Sequence, residues 1–93
     1  MDWDQSKHAP ARLELLETYW RFRGPSGRVL DCSVYQTNAG LEVRAGYGLG
    51  DVLYLMRAID EADARERAAR LREAVIDAEG FTELAVTGDG AAR

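Results

Sequence analysis

One stretch of the chain, from Ile59 to Phe81, limits the possible folds most, because it predicts a single amphipathic helix with both ends marked. Apolar residues recur there at intervals of four and three positions, which places them on one stripe of an α-helix. The stripe consists of Ala64, Ala68, Leu71, Val75 and Ala78. Asp60 is the expected N-cap residue, and Gly80 is expected to end the helix in a left-handed conformation. The pattern therefore predicts a helix from Glu61 to Glu79.

The stripe is narrow and rich in alanine, so the helix can lie close to whatever it covers. We expect Leu71, in the middle of the stripe, to insert among buried residues of the sheet, so that Leu71→Ala would cost roughly 2–5 kcal/mol. Those residues are Trp20, Cys32 and Val43. The other side of the helix carries acids four residues before arginines, and each such pair adds about 0.2–0.5 kcal/mol. The pairs are Glu61–Arg65, Asp63–Arg67 and Glu66–Arg70. We interpret this charged side as the solvated back of the helix rather than as a docking surface.

Length and composition predict one small domain. The chain has 93 residues, enough for one hydrophobic core, which we expect at 12–86 with tails at 1–11 and 87–93. The net charge of −4 disfavours nucleic acid and anionic membranes as partners. No apolar run approaches the roughly 20 residues of a membrane span, so we expect no membrane insertion. Cys32 is the only cysteine, which excludes an intrachain disulfide and suits a reducing compartment, so we expect a cytoplasmic location.

Three segments before the helix alternate apolar and polar residues, which predicts antiparallel strands with one buried face. They are Thr18–Arg23, Arg28–Gln36 and Leu41–Tyr47. Pro25 and Gly27 suit a three-residue loop after the first strand. That loop would set Phe22 opposite Leu30, Trp20 opposite Cys32 and Arg21 opposite Asp31. A four-residue loop at 37–40 would likewise set Val34 opposite Val43.

Two further segments are ambiguous between strand and helix. Residues 12–17 suit a short helix after Pro10, but they equally suit a strand because Leu13 and Leu15 alternate with polar residues. Residues 52–58 are apolar on both faces, and we favour a fourth strand there because the segment is rich in valine, leucine and tyrosine. Residues 82–86 are a candidate edge strand after the helix.

Together these elements predict an α+β fold: an antiparallel three- to four-stranded β-meander with one long C-terminal amphipathic helix packed on one face. The residues expected to face the helix are Trp20, Phe22, Leu30, Cys32, Val34, Leu41, Val43 and Ala45. We call the other side of the sheet the open face. By alternation it carries Tyr19, Arg21, Arg23, Val29, Asp31, Ser33, Tyr35, Glu42 and Arg44.

Few residues of this chain suit catalysis or metal binding. Cys32 lies on the predicted inner face, where a thiol is usually inert, and the single histidine, His8, lies in the N-terminal tail. One cysteine and one histidine are too few for a zinc site, and the acids at the helix start complement the helix dipole. The glycines of GYGLGD lack the Gly-Lys-Ser/Thr of a phosphate loop. We therefore predict no catalytic residue, no cofactor and no metal.

The functional interpretation depends mainly on residues 52–58. As a strand, it would point Val52, Tyr54 and Met56 one way and Leu53 and Leu55 the other, and one helix can cover only one set. Exposed apolar patches usually mark interaction surfaces, and a two-fold homodimer uses the same patch twice. We therefore expect a non-enzymatic binding or assembly module that forms a homodimer through its sheet, or that binds another protein. The candidate partner surface consists of Tyr19, Arg21, Arg23, Tyr35, Arg44, Tyr54 and Met56.

The alternative is a nucleic-acid-binding module. Arginines interleaved with tyrosines on a sheet can bind phosphates and stack bases. The residues that would do so are Tyr19, Arg21, Arg23, Tyr35 and Arg44. Asp31 and Glu42 stand among these arginines and neutralise much of the patch, so cross-strand pairing explains the same residues without a ligand. A third class, a small enzyme subunit completed by a partner chain, has no residue that argues for it.

Overall fold

The computed structural model describes residues 12–48 and 50–86, in which five strands and one helix are formed. In chain order they are β1 (Leu13–Arg23), β2 (Val29–Thr37), β3 (Gly40–Gly46), β4 (Val52–Ala58), α1 (Glu61–Ile76) and β5 (Thr82–Leu84). The strands form one antiparallel sheet in the order β4-β3-β2-β1-β5, and α1 packs on one face. The predicted α+β meander with one helix is confirmed, with β5 as a fifth strand. The tails expected at 1–11 and 87–93, and His8 with them, lie outside the described residues.

The two hairpin turns have the predicted register. Gly24 donates its N–H to the carbonyl of Arg28 at 2.8 Å, and Gly27 has a φ of 90°, which closes a three-residue loop. The expected partners face one another, namely Phe22 and Leu30, Trp20 and Cys32, and Arg21 and Asp31. After the second turn Val34 pairs with Val43, as predicted. Apolar residues therefore share one face of β1, β2 and β3 near the turns.

Both ambiguous segments are strands. Residues 12–17 fall almost entirely within β1, and 52–58 is β4. The candidate edge strand at 82–86 shortens to β5, which pairs with β1 only at Arg21–Arg23. Within the described part of the chain, the rest of β1 therefore has a strand on one side only.

The helix begins as predicted and ends early. Asp60 accepts a hydrogen bond from the Asp63 N–H at 2.8 Å, and the Asp63 carboxylate accepts one from the Ile59 N–H at 2.9 Å. The arrangement resembles a capping box, but the Asp63 carboxylate reaches the N–H of the residue before the N-cap and not that of the N-cap itself. The helix ends at Ile76 instead of Glu79, because a tighter turn takes over. In that turn Ala78 donates to Val75 at 3.0 Å, and the chain then reverses at Gly80, where φ is 88°.

Two of the three predicted ion pairs on the described helix are formed. Asp63 meets Arg67 at 3.1 Å and Glu66 meets Arg70 at 2.7 Å, both four residues apart. A further pair ties the helix to β5, since two nitrogens of Arg72 bond to the Glu83 carboxylate at 2.6 and 3.0 Å. Such exposed pairs are screened by water and contribute little, so they support the helix without determining its position. At 16 residues, α1 is not long and apolar enough to cross a membrane, and it is the one helix among the described residues.

Alanines bring the helix into direct contact with the sheet. The core consists of Trp20, Phe22, Leu30, Cys32, Val34, Val43, Ala45, Ala64 and Ala68. Ala68 lies so close to β1 that its carbonyl accepts a hydrogen bond from the Trp20 indole N–H at 2.7 Å. Leu71, by contrast, is only partly buried and lines a cleft beside Trp20 and Leu30. Leu71 therefore lies at the edge of the core and not, as expected, among Trp20, Cys32 and Val43.

Candidate interaction surface

Strand β4 forms one edge of the sheet. It pairs with β3 on one side, where Val43 faces Met56 and Ala45 faces Tyr54. Its other side has no neighbouring strand among residues 12–48 and 50–86. Alternate N–H and C=O groups of an edge strand point away from the sheet, and they are available to pair with another chain.

Three consecutive large apolar side chains on this strand are half-exposed. The exposed fraction is 51% for Leu53, 55% for Tyr54 and 50% for Leu55. We call these three residues the apolar edge of β4. Single exposed leucines are ordinary on protein surfaces, but a contiguous apolar group on a free strand edge is typical of an interaction site.

A β-bulge decides where the side chains of the apolar edge point. Gly46 pairs with Val52 and Ala45 pairs with Tyr54, so Leu53 is an extra residue without a partner of its own on β3. Leu53 therefore joins Tyr54 on the helix side, whereas Val52 lies on the open face with Leu55. The predicted orientations of Tyr54, Met56 and Leu55 agree with the register, and those of Val52 and Leu53 are wrong. Side chains alternate strictly between the two faces of the sheet only in a regular strand, and the bulge interrupts this alternation.

Glycine is required at the position where this bulge forms. A Cβ atom on Gly46 would overlap the carbonyl oxygen of Asp51 and lie 2.8 Å from the Cα atom of Val52. Arg28 stabilises the same loop, since its guanidinium bonds to Asp51 at 2.6 Å and lies 4.2 Å from the ring centroid of Tyr47. Gly46 therefore allows the close approach that forms the bulge, and Arg28 holds the loop that precedes it.

An apolar cleft adjoins the apolar edge. It encloses about 210 Å³ between the C-terminal half of α1 and the sheet, and Leu53 and Tyr54 are part of its wall. The other lining residues are Trp20, Leu30, Ala45, Tyr47, Leu71, Ala74, Val75, Ala78 and Phe81. No charged side chain is among these residues. The cleft exists because the helix stripe changes from closely packed alanines to residues that reach the sheet only in part.

The arginines and tyrosines of the open face are largely engaged with their neighbours. Arg44 bonds to the Glu42 carboxylate at 2.9 Å and lies 5.5 Å from the ring centroid of Tyr35. Only 21% of the Arg44 side chain and 12% of the Glu42 side chain are exposed. Arg21 faces Asp31 on the neighbouring strand; burial raises the pKa of Asp31, and Arg21 partly opposes that rise. Much of the charge on this face is therefore balanced within the sheet.

Tyr19 does not lie on the open face. The register of β1 shifts between Thr18 and Trp20, so Tyr19 is a bulge residue, and it packs against the core on the helix side. Its hydroxyl oxygen is buried and has no hydrogen-bond partner among the described residues. Burial raises the pKa of Tyr19, and the charge of Glu17 adds to the rise. Tyr19 therefore packs against the core and is not part of the open face.

The predicted partner surface consequently divides between two faces. Arg21, Arg23, Tyr35 and Arg44 lie on the open face, and Tyr19, Tyr54 and Met56 lie on the helix side. The structure brings Tyr54 and Met56 together on the β4 edge, but it does not bring them together with the arginines. The predicted partner surface omitted Leu53 and Leu55, although one apolar set of residues 52–58 was expected to be exposed. The available signal was the run Leu53-Tyr54-Leu55 itself, which lacks any charged or polar interruption.

The structure offers no activated nucleophile at the cysteine. Cys32 is fully buried, and burial raises the pKa of its thiol to about 12, with a further contribution from the charge of Asp31. A thiol with such a pKa stays protonated at neutral pH, and the protonated form is a poor nucleophile. In residues 12–48 and 50–86, no three or more His, Cys, Asp and Glu side chains converge to hold a metal ion.

The free half of β1 is a second apolar edge. Leu13, Leu15 and Leu16 are exposed there, to 41%, 55% and 41%. This edge differs from β4 in two ways: its register shifts twice within the strand, and Glu14 and Glu17 flank the leucines. Bulges and charges on an edge strand both discourage pairing with another strand.

Comparisons of this chain with protein-family models, with curated proteins and with solved structures found no match. The physical properties of the apolar edge therefore carry the functional interpretation.

Proposed function

We propose that the chain is a small non-enzymatic assembly module, two copies of which join through the edge strand β4. The observation that carries this proposal is the contiguous exposure of Leu53, Tyr54 and Leu55 on a strand with a free edge. Pairing two such strands would satisfy the outward backbone groups and cover the apolar side chains at the same time. A two-fold axis closes the assembly at two copies, because each β4 edge is then used once.

Of the two free edges in the described chain, β4 is better suited to pairing than β1. From Tyr54 to Ala58 the β4 register is regular, and Arg57 is the only charged residue in the strand. The free half of β1 has two register shifts and two acids. A β1–β1 pair would bring acids of both copies together, and like charges on facing strands are destabilising. The proposal therefore assigns the interface to β4.

The expected dimer is weak. Covering a half-exposed leucine or tyrosine contributes about 1 kcal/mol, roughly half of the value for complete burial. The six side chains of two apolar edges then contribute an amount similar to the association cost, which is on the order of 4–15 kcal/mol. Backbone hydrogen bonds between the strands add about 0.5–1.5 kcal/mol each. We expect a dissociation constant in the micromolar range, about −8 kcal/mol at 1 µM.

Nucleic-acid binding receives less support from the geometry. Of the five residues that would form such a site, Tyr19 lies on the helix side and Arg44 is bonded to Glu42. A phosphate would have to compete with that carboxylate for the guanidinium. Arg21 and Arg23 remain on the open face, where Asp31 offsets part of their charge.

Sedimentation velocity across about 1–500 µM protein tests the proposal, a range that brackets a micromolar dissociation constant. We expect the wild-type chain to shift from monomer to dimer as concentration rises. Tyr54→Lys should keep the monomer to the top of the range, because the dimer would bury two ammonium groups. Leu15→Lys is the matched control, since Leu15 and Tyr54 are equally exposed at 55%. A wild-type monomer throughout the range, or equal weakening by both variants, would overturn the assignment to β4.

A further inference from the structure

We infer, on the basis of the proposed dimer, that the two-fold axis lies at Leu55 and that Met56 of each copy packs on Leu53 and Tyr54 of the other. In an antiparallel pair of identical strands, the residue on the axis faces its own copy. Every other pair is then set by its distance from the axis. The position of the axis can therefore be chosen from the charge, the bulge and the facing directions of β4.

Charge excludes an axis near the C-terminal end of the strand. An axis at Arg57 would place two guanidinium groups directly opposite each other. An axis at Met56 would place them on the same face as diagonal neighbours, about 7–8 Å apart. With the axis at Leu55, four residues separate the two arginines along the strands, or about 13 Å.

Strand length excludes an axis at Tyr54. β4 runs from Val52 to Ala58, so Leu55 is its central residue. An axis at Leu55 pairs residues from Val52 to Arg57 in both copies, whereas an axis at Tyr54 would place Arg57 and Ala58 opposite residues that precede β4. The longest pairing forms the most backbone hydrogen bonds between the copies.

The bulge makes the facing directions agree in this register. Leu55 lies on the open face, so its own copy meets it there. Met56 lies on the helix side and comes opposite Tyr54 together with the extra residue Leu53, just as Ala45 does within one copy. Beyond the bulge, Val52 comes opposite Arg57, and both lie on the open face. If Leu53 were counted as an ordinary strand residue, Val52 would come opposite Ala58, which lies on the helix side.

On each face of the sheet, apolar groups then cover the line along which the two copies meet. On the open face, the two Leu55 side chains meet at the axis and the stem of Arg57 lies along Val52. On the helix side, methionine is unbranched and flexible, which suits contact with the uneven surface formed by Leu53 and Tyr54. Those two residues form the β4 wall of the apolar cleft, so the second copy would border the cleft.

Disulfide trapping tests the position of the axis. In Leu55→Cys the two new thiols would face each other across the axis, with Cα atoms about 4.5–5.5 Å apart, within the range of a disulfide. In Arg57→Cys they would be about 13 Å apart, beyond the limit of roughly 7 Å. The wild-type chain is the background control, because Cys32 is buried with a thiol pKa of about 12.

Mild oxidation near 100 µM protein, a concentration chosen to populate a micromolar dimer, should convert Leu55→Cys to a covalent dimer at least about ten-fold faster than Arg57→Cys. Equal or faster trapping of Arg57→Cys would move the axis and overturn the inference. If neither variant is trapped while the wild type still sediments as a dimer, the axis at Leu55 is wrong and the dimer stands. If the wild type sediments as a monomer, both proposals fail.

A charge substitution tests the position of the axis without thiol chemistry, and a matched control separates its effect from a general effect on folding. Leu55→Arg would place two guanidinium groups opposite each other at the axis, and it should raise the dissociation constant at least about ten-fold. Leu15→Arg on the free half of β1 carries the same charge change at a comparable exposure, and it should leave dimerisation unchanged. Dimerisation of Leu55→Arg at the wild-type affinity would overturn the axis at Leu55.

Discussion

Substituting Ala68 by leucine tests the contact on which the whole fold depends, the approach of α1 to the sheet. Ala68 is 1% exposed, and its carbonyl accepts the Trp20 indole N–H at 2.7 Å. A larger side chain at this position has no space to enter, so it must push the helix away from β1. The adjacent residue, Ala69, is exposed and provides the matched control, because the same substitution there points about 100° away around the helix.

The expected loss follows from two effects. Overpacking of a filled core costs about 1–3 kcal/mol. Displacement of the helix also lengthens or breaks the indole–carbonyl hydrogen bond, whose net contribution is about 0.5–1.5 kcal/mol. Together they predict a decrease of about 2–4 kcal/mol in the free energy of unfolding for Ala68→Leu. Ala69→Leu should change it by less than about 0.5 kcal/mol.

Urea denaturation, followed by tryptophan fluorescence and by circular dichroism, measures both variants. With a slope of about 1–1.5 kcal/mol per molar urea, the Ala68→Leu midpoint should fall by about 1.3–4 M, and the Ala69→Leu midpoint should hardly move. Similar midpoints for the two variants would refute the close approach of the helix. An Ala69→Leu loss as large as that of Ala68→Leu would show that the helix is rotated from the position described.

Two further substitutions probe the C-terminal half of the helix and its start. Leu71→Ala should cost about 1–2 kcal/mol in urea denaturation, less than a buried leucine, because Leu71 borders an open cleft; a loss above about 3 kcal/mol would place it in the closed core. At the other end, the Ile59 N–H above all, and then Arg67, lower the pKa of Asp63 from its ordinary value of 3.8. A lowered pKa in the folded state contributes stability above pH 3.8 that is lost as pH falls through the folded value. Asp63→Asn should therefore have a lower melting temperature than the wild type at neutral pH, and the difference should shrink on acidification below pH 3.8; a constant difference would contradict this origin.

The turns explain why so much of the sheet could be predicted from the sequence. Gly27 takes a positive φ that few other residues accept, which fixes the length of the first loop and with it the pairing of Trp20 with Cys32. Once one pair is fixed, the alternation assigns a face to every residue of a regular strand. The same reasoning holds for Val34 and Val43 after the second turn. The helix start was equally predictable, because the Asp60 carboxylate accepts the Asp63 N–H of the first turn through a local contact.

The helix end and the depth of Leu71 depend on contacts between distant segments. Gly80 packs against Pro25, and a Cβ atom on Gly24 would lie 3.0 Å from the ring of Phe81. These contacts hold the segment after the helix against the first hairpin. The last turn of the predicted helix unwinds into that connection, so Leu71 lies in the C-terminal half of α1 rather than at its middle. No local pattern in residues 61–79 indicates this docking.

The faces of Tyr19, Val52 and Leu53 were predicted wrongly for one physical reason, the β-bulge. A bulge adds a residue to one strand, so the assignments beyond it change face until a second bulge restores them. Tyr19 moved to the helix side in this way, and Leu53 moved with the bulge that begins β4. The bulges of the two strands have different consequences for pairing with another strand. Those of β1 interrupt a leucine-rich edge and make it unsuitable for pairing, whereas the one in β4 leaves Tyr54–Ala58 regular and places Leu53 beside Tyr54, where a second copy of the strand could cover both.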